Sequence, residues 1–301
     1  MSARFVVRAE DAGKRLDVLL AERVTGLSRR RARVLISAGS VFVDAGRVLV
    51  HSRRIAAGRE VSCHLGAFVS ARPDALDPRR VLHEDASLVA IDKPAGMPSH
   101  PTMARRQGTA LQLTEEWLRR RGGEKVPLWP LHRLDAGTSG VLLFAKSRRA
   151  ARAVSQNLAR RRVRKVYLAL VTGVPEPAEG EISVALSEGW LRSAPSATGK
   201  EATTRYRVVE ELPGAAVLEV EPLTGRMHQI RVHLASIGHP VLGDTKYSSG
   251  ATTSAPRLFL HAARIELPHP EGGRPFAVES ALPAEWIAFA RDRSVRDDGC
   301  A

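Results

Sequence analysis

Hydrophobic residues recur with two different spacings along the first 65 residues. Residues 15–23 and 28–36 carry apolar side chains at helical intervals, and Ser28 is suited to cap the second helix. Three short apolar runs that are typical of β-strands follow, at residues 41–43, 47–50 and 60–65. The pattern predicts a small α/β unit, residues 1–66, made of two helices and a small sheet.

A second, larger unit begins after residues 67–80, where the apolar periodicity stops and two prolines are typical of a linker. Within residues 81–292 the predicted strands cover 88–91, 141–145, 166–171, 204–209, 217–220 and 259–267, and the predicted helices lie near 109–121, 149–161 and 226–237. Most strands follow one another without an intervening helix, so we expect an α+β fold with a mixed, mainly antiparallel sheet. Residues 293–301 are polar, and we expect a disordered tail.

Basic residues outnumber acidic ones by 46 to 32, which gives a net charge of +14 and an isoelectric point near 10.8. This charge favours a polyanionic partner, nucleic acid first. Residues 1–65 hold 13 basic and 6 acidic residues, and therefore half of the excess. Because 39 of the 46 basic residues are arginine, biased codon usage is an alternative that composition leaves open.

Composition also disfavours several classes of protein. A chain of 301 residues with 44% hydrophobic and 26% charged residues can bury a core and is unlike a disordered protein. It has no run of about 18 apolar residues, and its first ten residues lack the apolar core of a signal peptide, so we expect a cytoplasmic protein without membrane association. Cys63 and Cys300 lack metal-site spacing, so we interpret both as plain thiols and expect no metal. A monomer without an obligate protein partner is the default expectation.

The segment LHRLDAGTSGVLLFAK, residues 131–146, places charged residues in a small, Gly-rich loop before an apolar strand. This position predicts that Asp135 lies at the rim of the sheet, where a carboxylate held by the following strand could reach a substrate. An Asp in such a turn can equally make an Asx-type hydrogen bond. The segment alone leaves both interpretations open.

A second informative segment, residues 223–247, predicts a helix that Thr224 caps and Gly238 ends. His228 and Arg231, three residues apart, share one face of this helix. An arginine on that face is either a surface cation or the partner of a carboxylate elsewhere. Sequence spacing does not distinguish the two.

These segments resemble, in the same order, the signature segments of the RluA-type pseudouridine synthases. The matching pieces are residues 88–101, 131–146, 164–173, 224–247 and 260–261. His132 stands where the sister RsuA type has glycine, whereas Ala136 and Gly137 depart from the polar pair that commonly follows the aspartate. Residues 1–65 resemble the small RNA-binding domain named after ribosomal protein S4. The resemblance implies the pseudouridine synthase fold with an S4-like domain in front of it.

The resemblance also implies roles for individual residues. Asp135 would be the catalytic carboxylate, acting as nucleophile or as base. A carboxylate in a closed site stays ionised when a cation lies nearby, and Arg231 matches the family's arginine that pairs with it. Tyr167 matches the active-site tyrosine, although its strand position alone favours a core residue. The remaining candidates for substrate or RNA binding are His132, Arg133, Arg226, His228 and Lys93, together with Arg29, Arg30, Arg31 and Arg33 on the second helix.

Isomerisation of uridine to pseudouridine consumes and releases nothing, so we expect no cofactor. The substrate would be large-subunit ribosomal RNA, with transfer RNA as the alternative, and the modified uridine stays open. Two further alternatives are an RNA-binding or ribosome-assembly protein whose catalytic domain is silent, and a glycosylase that releases free uracil.

Overall fold

The computed structural model divides the chain into two compact units. The first unit contains Met1–Ala71 and Ser248–Leu258, and the second contains Arg72–Tyr247 and Phe259–Ala301. The described residues are 2–37, 40–44, 46–48, 50–64, 75–101, 107–124, 126–189, 193–248, 255–286 and 289. Most of the predicted linker, residues 67–74, and the whole predicted tail with Cys300 lie outside them.

The first unit is a four-stranded antiparallel sheet packed with two helices. Its elements are β1 (Ser2–Val6), α1 (Leu16–Arg23), α2 (Arg29–Ser37), β2 (Val41–Val43), β3 (Gly46–Arg47) and β4 (Glu60–His64), with strand order β1-β4-β2-β3. Leu16, Leu19 and Leu20 pack with Leu35 and Ile36 in one buried cluster, as the helical spacing predicts. The Ser28 hydroxyl accepts the Arg31 N–H at 3.3 Å. β1 was not predicted, and β3 is shorter than the predicted strand at 47–50.

The second unit contains a ten-stranded, mainly antiparallel sheet, which confirms the predicted fold class. Its strands are β5 (Val81–Glu84), β6 (Leu88–Lys93), β7 (Trp129–Pro130), β8 (Ser139–Ala145), β9 (Arg164–Thr172), β10 (Glu179–Ser183), β13 (Thr203–Leu212), β14 (Ala215–Pro222), β15 (Leu260–Pro268) and β16 (Pro275–Glu279), and β11 (Leu186–Glu188) pairs separately with β12 (Ser193–Pro195). The central order is β10-β13-β14-β9-β15-β8-β6-β5. Among these pairs, β8 with β15 is parallel.

The sheet is accompanied by the helices α3 (Ala110–Gly122), α4 (Arg148–Ala159) and α5 (Gln229–Ser236). Thr109 and Gln112 form a reciprocal capping box at the start of α3, and Ser147 caps α4. No helix in the described part of the chain is long and apolar enough to cross a membrane.

The start of α5 corrects the sequence prediction. The helix begins at Gln229, because His228 takes the left-handed conformation with φ 56°. Thr224 does not cap it; its hydroxyl donates to the Gln229 side-chain oxygen at 2.7 Å. Gly238, with φ +85°, follows the helix end as predicted.

Strand pairing shows which side chains share a face of the large sheet. Ile265 of β15 pairs with Lys165 of β9, and Ile265 belongs to the buried cluster that contains Ala150 and Val154 of α4. Tyr167 lies two residues after Lys165, so it projects from the same face. The face of the sheet that α4 covers is therefore the face that carries Tyr167.

Candidate active site

The loop that carries Asp135 is fixed on both sides by the segment after β6. Ser99 Oγ donates to the Leu134 carbonyl at 2.7 Å and accepts the Leu134 N–H at 3.0 Å. The Gly96 N–H donates to the Ala136 carbonyl, and Lys93 Nζ donates to the same carbonyl at 3.3 Å. Hydrogen bonds from residues 93–99, about 40 residues earlier in the sequence, thereby hold the loop of Asp135 in place.

Arg231 of α5 joins Asp135 to a second carboxylate. Its Nη1 donates to Asp135 Oδ2 at 2.8 Å, while Nε and Nη2 donate to the two oxygens of Asp244, each at 2.7 Å. The side chains of Arg231 and Asp244 are 8% and 0% exposed, and that of Asp135 is 18% exposed. The buried pair orients the guanidinium group so that its remaining donor faces the more accessible carboxylate.

The electrostatics of this group favour the ionised forms. Burial alone would lower the pKa of Arg231, but its hydrogen bonds with Asp244 and the charges of both carboxylates outweigh burial and raise it. For Asp244, burial is likewise outweighed by Arg231 and by the N–H groups of Lys246 and Tyr247, which lower its pKa. Asp135 thus faces a charged guanidinium group that Asp244 holds in place.

His228 and Tyr247 border the same carboxylate. The Tyr247 hydroxyl accepts the Ser193 N–H at 2.9 Å and lies 2.7 Å from His228 Nδ1. The other ring nitrogen of His228, Nε2, lies 3.7 Å from Asp135 Oδ2. Burial lowers the pKa of His228, so the ring is neutral at pH 7.

Tyr167 of β9 lies close enough to Asp135 to feel its charge, and Lys165 precedes it by two residues on the same strand. Tyr167 is 8% exposed, and burial together with the charge of Asp135 raises its pKa well above the ordinary value, so its hydroxyl is protonated at neutral pH. Burial lowers the pKa of Lys165, whose side chain has no hydrogen bond or ion pair with any described residue. A protonated phenol therefore stands within the electrostatic reach of Asp135.

Comparisons with known proteins agree with this geometry. The family model described as RNA pseudouridylate synthase matches residues 87–236, which contain Asp135, Tyr167 and Arg231. The chain is 34% identical to ribosomal large subunit pseudouridine synthase D of Nitrosomonas europaea, over 92% of this chain and 84% of that protein. It is 31% identical to ribosomal large subunit pseudouridine synthase C of Escherichia coli K12, over 92% of each.

The chain belongs to the RNA pseudouridine synthases. Within them it resembles the RluA type, as predicted. The solved structure of human RNA Pseudouridylate Synthase Domain Containing 4 superposes with a TM-score of 0.60 at 28% identity, covering 69% of this chain and 90% of that one. Human RNA Pseudouridylate Synthase Domain Containing 1 gives a TM-score of 0.56 at 25% identity, covering 67% and 83%. The synthase is accordingly an isomerase.

Two residues that the sequence assigned to substrate binding have other contacts in the synthase. Lys93 is 0% exposed and its Nζ donates to the carbonyls of Pro94, Met97 and Ala136, so in this structure Lys93 supports the Asp135 loop. His132 Nε2 accepts the Leu143 N–H at 3.2 Å, and burial lowers the pKa of His132 to about 3. His132 therefore ties the loop to β8 as a neutral ring.

Arg133 and Arg226 lie nearer to solvent. Arg133 is exposed. Burial lowers the pKa of His100, and the charge of Arg133 lowers it further. Arg226 donates from Nε to the Glu201 carbonyl at 3.0 Å and remains partly exposed ahead of α5. Both remain candidates for contact with RNA.

The arginines predicted to bind RNA in the first unit surround a buried carboxylate. Asp17 is fully buried and accepts hydrogen bonds from Nε of Arg29 at 3.1 Å and of Arg33 at 2.6 Å. Arg15 adds a third ion pair, and the hydrogen bonds of the three arginines outweigh burial and lower the pKa of Asp17. Arg30 is exposed and Arg31 partly so. Asp17 thus orients two of the four arginines while leaving their side chains nearly half exposed.

Sequence reasoning missed Ser99, Asp244 and Tyr247, although all three stand inside the quoted segments. Their importance depends on hydrogen bonds to Leu134, Arg231 and His228, which no local pattern shows. Among the described residues, no group of three or more acidic, histidine or cysteine side chains is arranged to hold a metal ion.

Proposed function

We propose that the synthase isomerises uridine in large-subunit ribosomal RNA and that Asp135 is its catalytic carboxylate. The observation that carries this proposal is the 2.8 Å ion pair between Arg231 and Asp135 beside Tyr167. The ribosomal substrate is supported by the names of the relatives from Nitrosomonas europaea and Escherichia coli.

The two oxygens of Asp135 are suited to different tasks. Arg231 and His228 face Oδ2, whereas Oδ1 accepts no hydrogen bond from any described residue. Oδ1 is therefore the oxygen offered to the nucleotide. In the reaction the N1–C1′ bond breaks, the C5–C1′ bond forms, C5 loses its proton and N1 gains one. During these steps the carboxylate can attack a carbon atom of the nucleotide or accept a proton.

Tyr167 contributes as a neutral phenol. Its raised pKa disfavours a resident phenolate, so the ring stacks on the uracil and the hydroxyl donates to it. Tyr167 could accept the C5 proton only if the bound base lowered the pKa of its hydroxyl, which burial and the charge of Asp135 raise. Lys165 projects from the same face of β9, two residues before Tyr167.

The first unit serves as an RNA-docking domain of the S4 type. The target uridine must leave its stack before it reaches Asp135, which costs a few kcal/mol. Phosphate contacts offset this cost. Arg29 and Arg33, oriented by Asp17, and the exposed Arg30 supply guanidinium groups for such contacts.

Release of tritium from RNA labelled at uridine C5 tests the proposal. Asp135→Asn keeps the shape of the side chain but removes its charge, so we expect release to fall by more than about 10³-fold with RNA affinity retained. Asp77→Asn is the control, because Asp77 is exposed and pairs with Arg79. Release at the wild-type rate by Asp135→Asn refutes the assignment, and free uracil among the products indicates a glycosylase.

A further inference from the structure

A forty-residue segment of the second unit contains no acidic residue. Residues 136–175 hold nine basic residues and no Asp or Glu. Together with residues 1–65 they account for 22 of the 46 basic and 6 of the 32 acidic residues, leaving 24 basic against 26 acidic elsewhere. The whole positive excess of the chain therefore lies in two segments, one of them in the catalytic unit.

Six arginines of this segment form a surface on α4 and the turn after it. This α4 arginine surface consists of Arg148, Arg149, Arg152, Arg160, Arg161 and Arg162, all exposed. None of the six side chains makes a hydrogen bond or ion pair with a described residue. The other basic residues differ: Lys146 pairs with Glu84, Arg164 pairs with Glu221 and Glu266, and Lys165 is largely buried.

A neighbouring helix shows the ordinary arrangement for comparison. α3 also ends in three arginines, but Arg119 and Arg120 pair with Glu116, and Arg121 pairs with Glu84. Arginines that serve only the helix are neutralised in this way. The α4 arginine surface has no such partners among the described residues and is left for a partner outside the chain.

The position of two of these arginines opposes helix stability. Arg148 and Arg149 occupy the first turn of α4, which has no acidic residue, although a helix N-terminus favours negative charge. Arg152 lies three and four residues after them, where like charges repel. The charge is therefore not explained by the folding of α4.

The surface lies on the face of the sheet that carries the active site. α4 buries Ala150 and Val154 in the cluster with Ile265, the residue paired with Lys165. Tyr167, two residues after Lys165 on β9, projects from the same face of the sheet. On β13 the exposed arginines are instead paired, Arg205 with Glu181 and Arg207 with Glu219.

We propose that the α4 arginine surface holds phosphates of the RNA substrate. This inference rests on the proposed function, in which the substrate is RNA. Guanidinium groups bind phosphate through two donors at once. Arg148, Arg149 and Arg152 line a shallow recess with Ala153 and Gln156, open to such a group. The surface thus fixes the RNA while Asp135 acts on the flipped nucleotide.

The test compares three triple variants of the full chain. One removes the charge at the start of α4 (Arg148→Gln, Arg149→Gln, Arg152→Gln) and one at its end (Arg160→Gln, Arg161→Gln, Arg162→Gln). The control removes the paired charges of α3 (Arg119→Gln, Arg120→Gln, Arg121→Gln). The probe is an in-vitro transcribed stem–loop RNA labelled at uridine C5, and its Kd is measured from 50 to 300 mM salt.

We expect each α4 triple variant to weaken RNA binding at least about tenfold and to lower the salt slope by about two, because each lost phosphate contact removes about 0.7–0.9. The first variant keeps or raises Tm, since it relieves the repulsion among the three arginines. The α3 variant keeps the wild-type slope.

A wild-type slope and Kd in both α4 variants overturn the inference, as does an equal loss in the α3 variant. If the wild-type chain binds RNA but releases no tritium from any RNA, the proposed function fails, whereas the binding comparison still decides the role of the surface.

Discussion

Arg231 connects the carboxylate offered to substrate with a carboxylate that solvent does not reach. Three of its donors are fixed, two on Asp244 and one on Asp135. From its residue type and spacing alone, Arg231 could have been a surface cation. Only the resemblance to the family indicated that it pairs with Asp135. Asp244 could not be predicted, because its contact depends on how the turn after α5 folds back.

Asp244→Asn tests whether Asp244 positions Arg231. The amide cannot accept two charge-assisted bonds, so the guanidinium loses its orientation and its buried partner. We expect the free energy of unfolding to fall by about 3 kcal/mol. Tritium release should slow by a factor of about ten or more, with RNA affinity retained. Urea unfolding and single-turnover release measure these effects. An unchanged release rate in the folded variant contradicts the positioning role.

His132 makes the folded chain sensitive to acid. Its pKa is about 3 in the folded protein, against an ordinary value of 6.5. Below pH 6.5 the unfolded chain binds a proton that the folded chain does not, so stability is complete above that pH and falls by about 1.4 kcal/mol per pH unit towards pH 3.

The His132→Gln variant isolates this contribution. Glutamine can accept the Leu143 N–H but does not titrate, whereas the carboxylates behave alike in both proteins. We expect the unfolding free energy of the variant to depend less on pH between 7 and 5 than that of the wild type. Equal pH dependence of the two proteins contradicts a neutral, buried His132.

At the level of helices and strands, burial decided what the sequence could predict. β6 and β8 are nearly continuous buried runs, and both were predicted within about two residues at each end. β10, β12 and β16 have few buried residues, and pairing with β13, β11 and β15 defines them. The start of α5 was misplaced because a left-handed His228 has no sequence signature.

Gly140 at the start of β8 allows the parallel pairing with β15. It has φ +107°, and an added Cβ would overlap the backbone of Ala262. We expect Gly140→Ala to destabilise the chain by roughly 3 kcal/mol, measured by urea unfolding. Gly122→Ala is the matched control, because Gly122 lies in α3 with open space around its Cα. We expect this substitution to leave the free energy of unfolding unchanged or to raise it by up to about 1 kcal/mol. Equal stability of the two variants contradicts this explanation.

Across the whole molecule, the charge distribution separates RNA binding from codon bias. Codon bias would spread arginine without regard to acidic residues, yet all of the excess lies in residues 1–65 and 136–175. The resemblance of residues 1–65 to the S4 domain predicted that this segment binds RNA. For residues 136–175 the structure was needed, because exposure and the lack of described partners distinguish the α4 arginines from those of α3.

The central claim is that Asp135 converts uridine to pseudouridine in large-subunit ribosomal RNA. Carbodiimide treatment followed by reverse transcription of unmodified large-subunit RNA, incubated with the wild type or with Asp135→Asn, tests it most directly. The account predicts discrete stops after incubation with the wild type and none with the variant. Absence of stops with the wild type, or the same stops with Asp135→Asn, would contradict it.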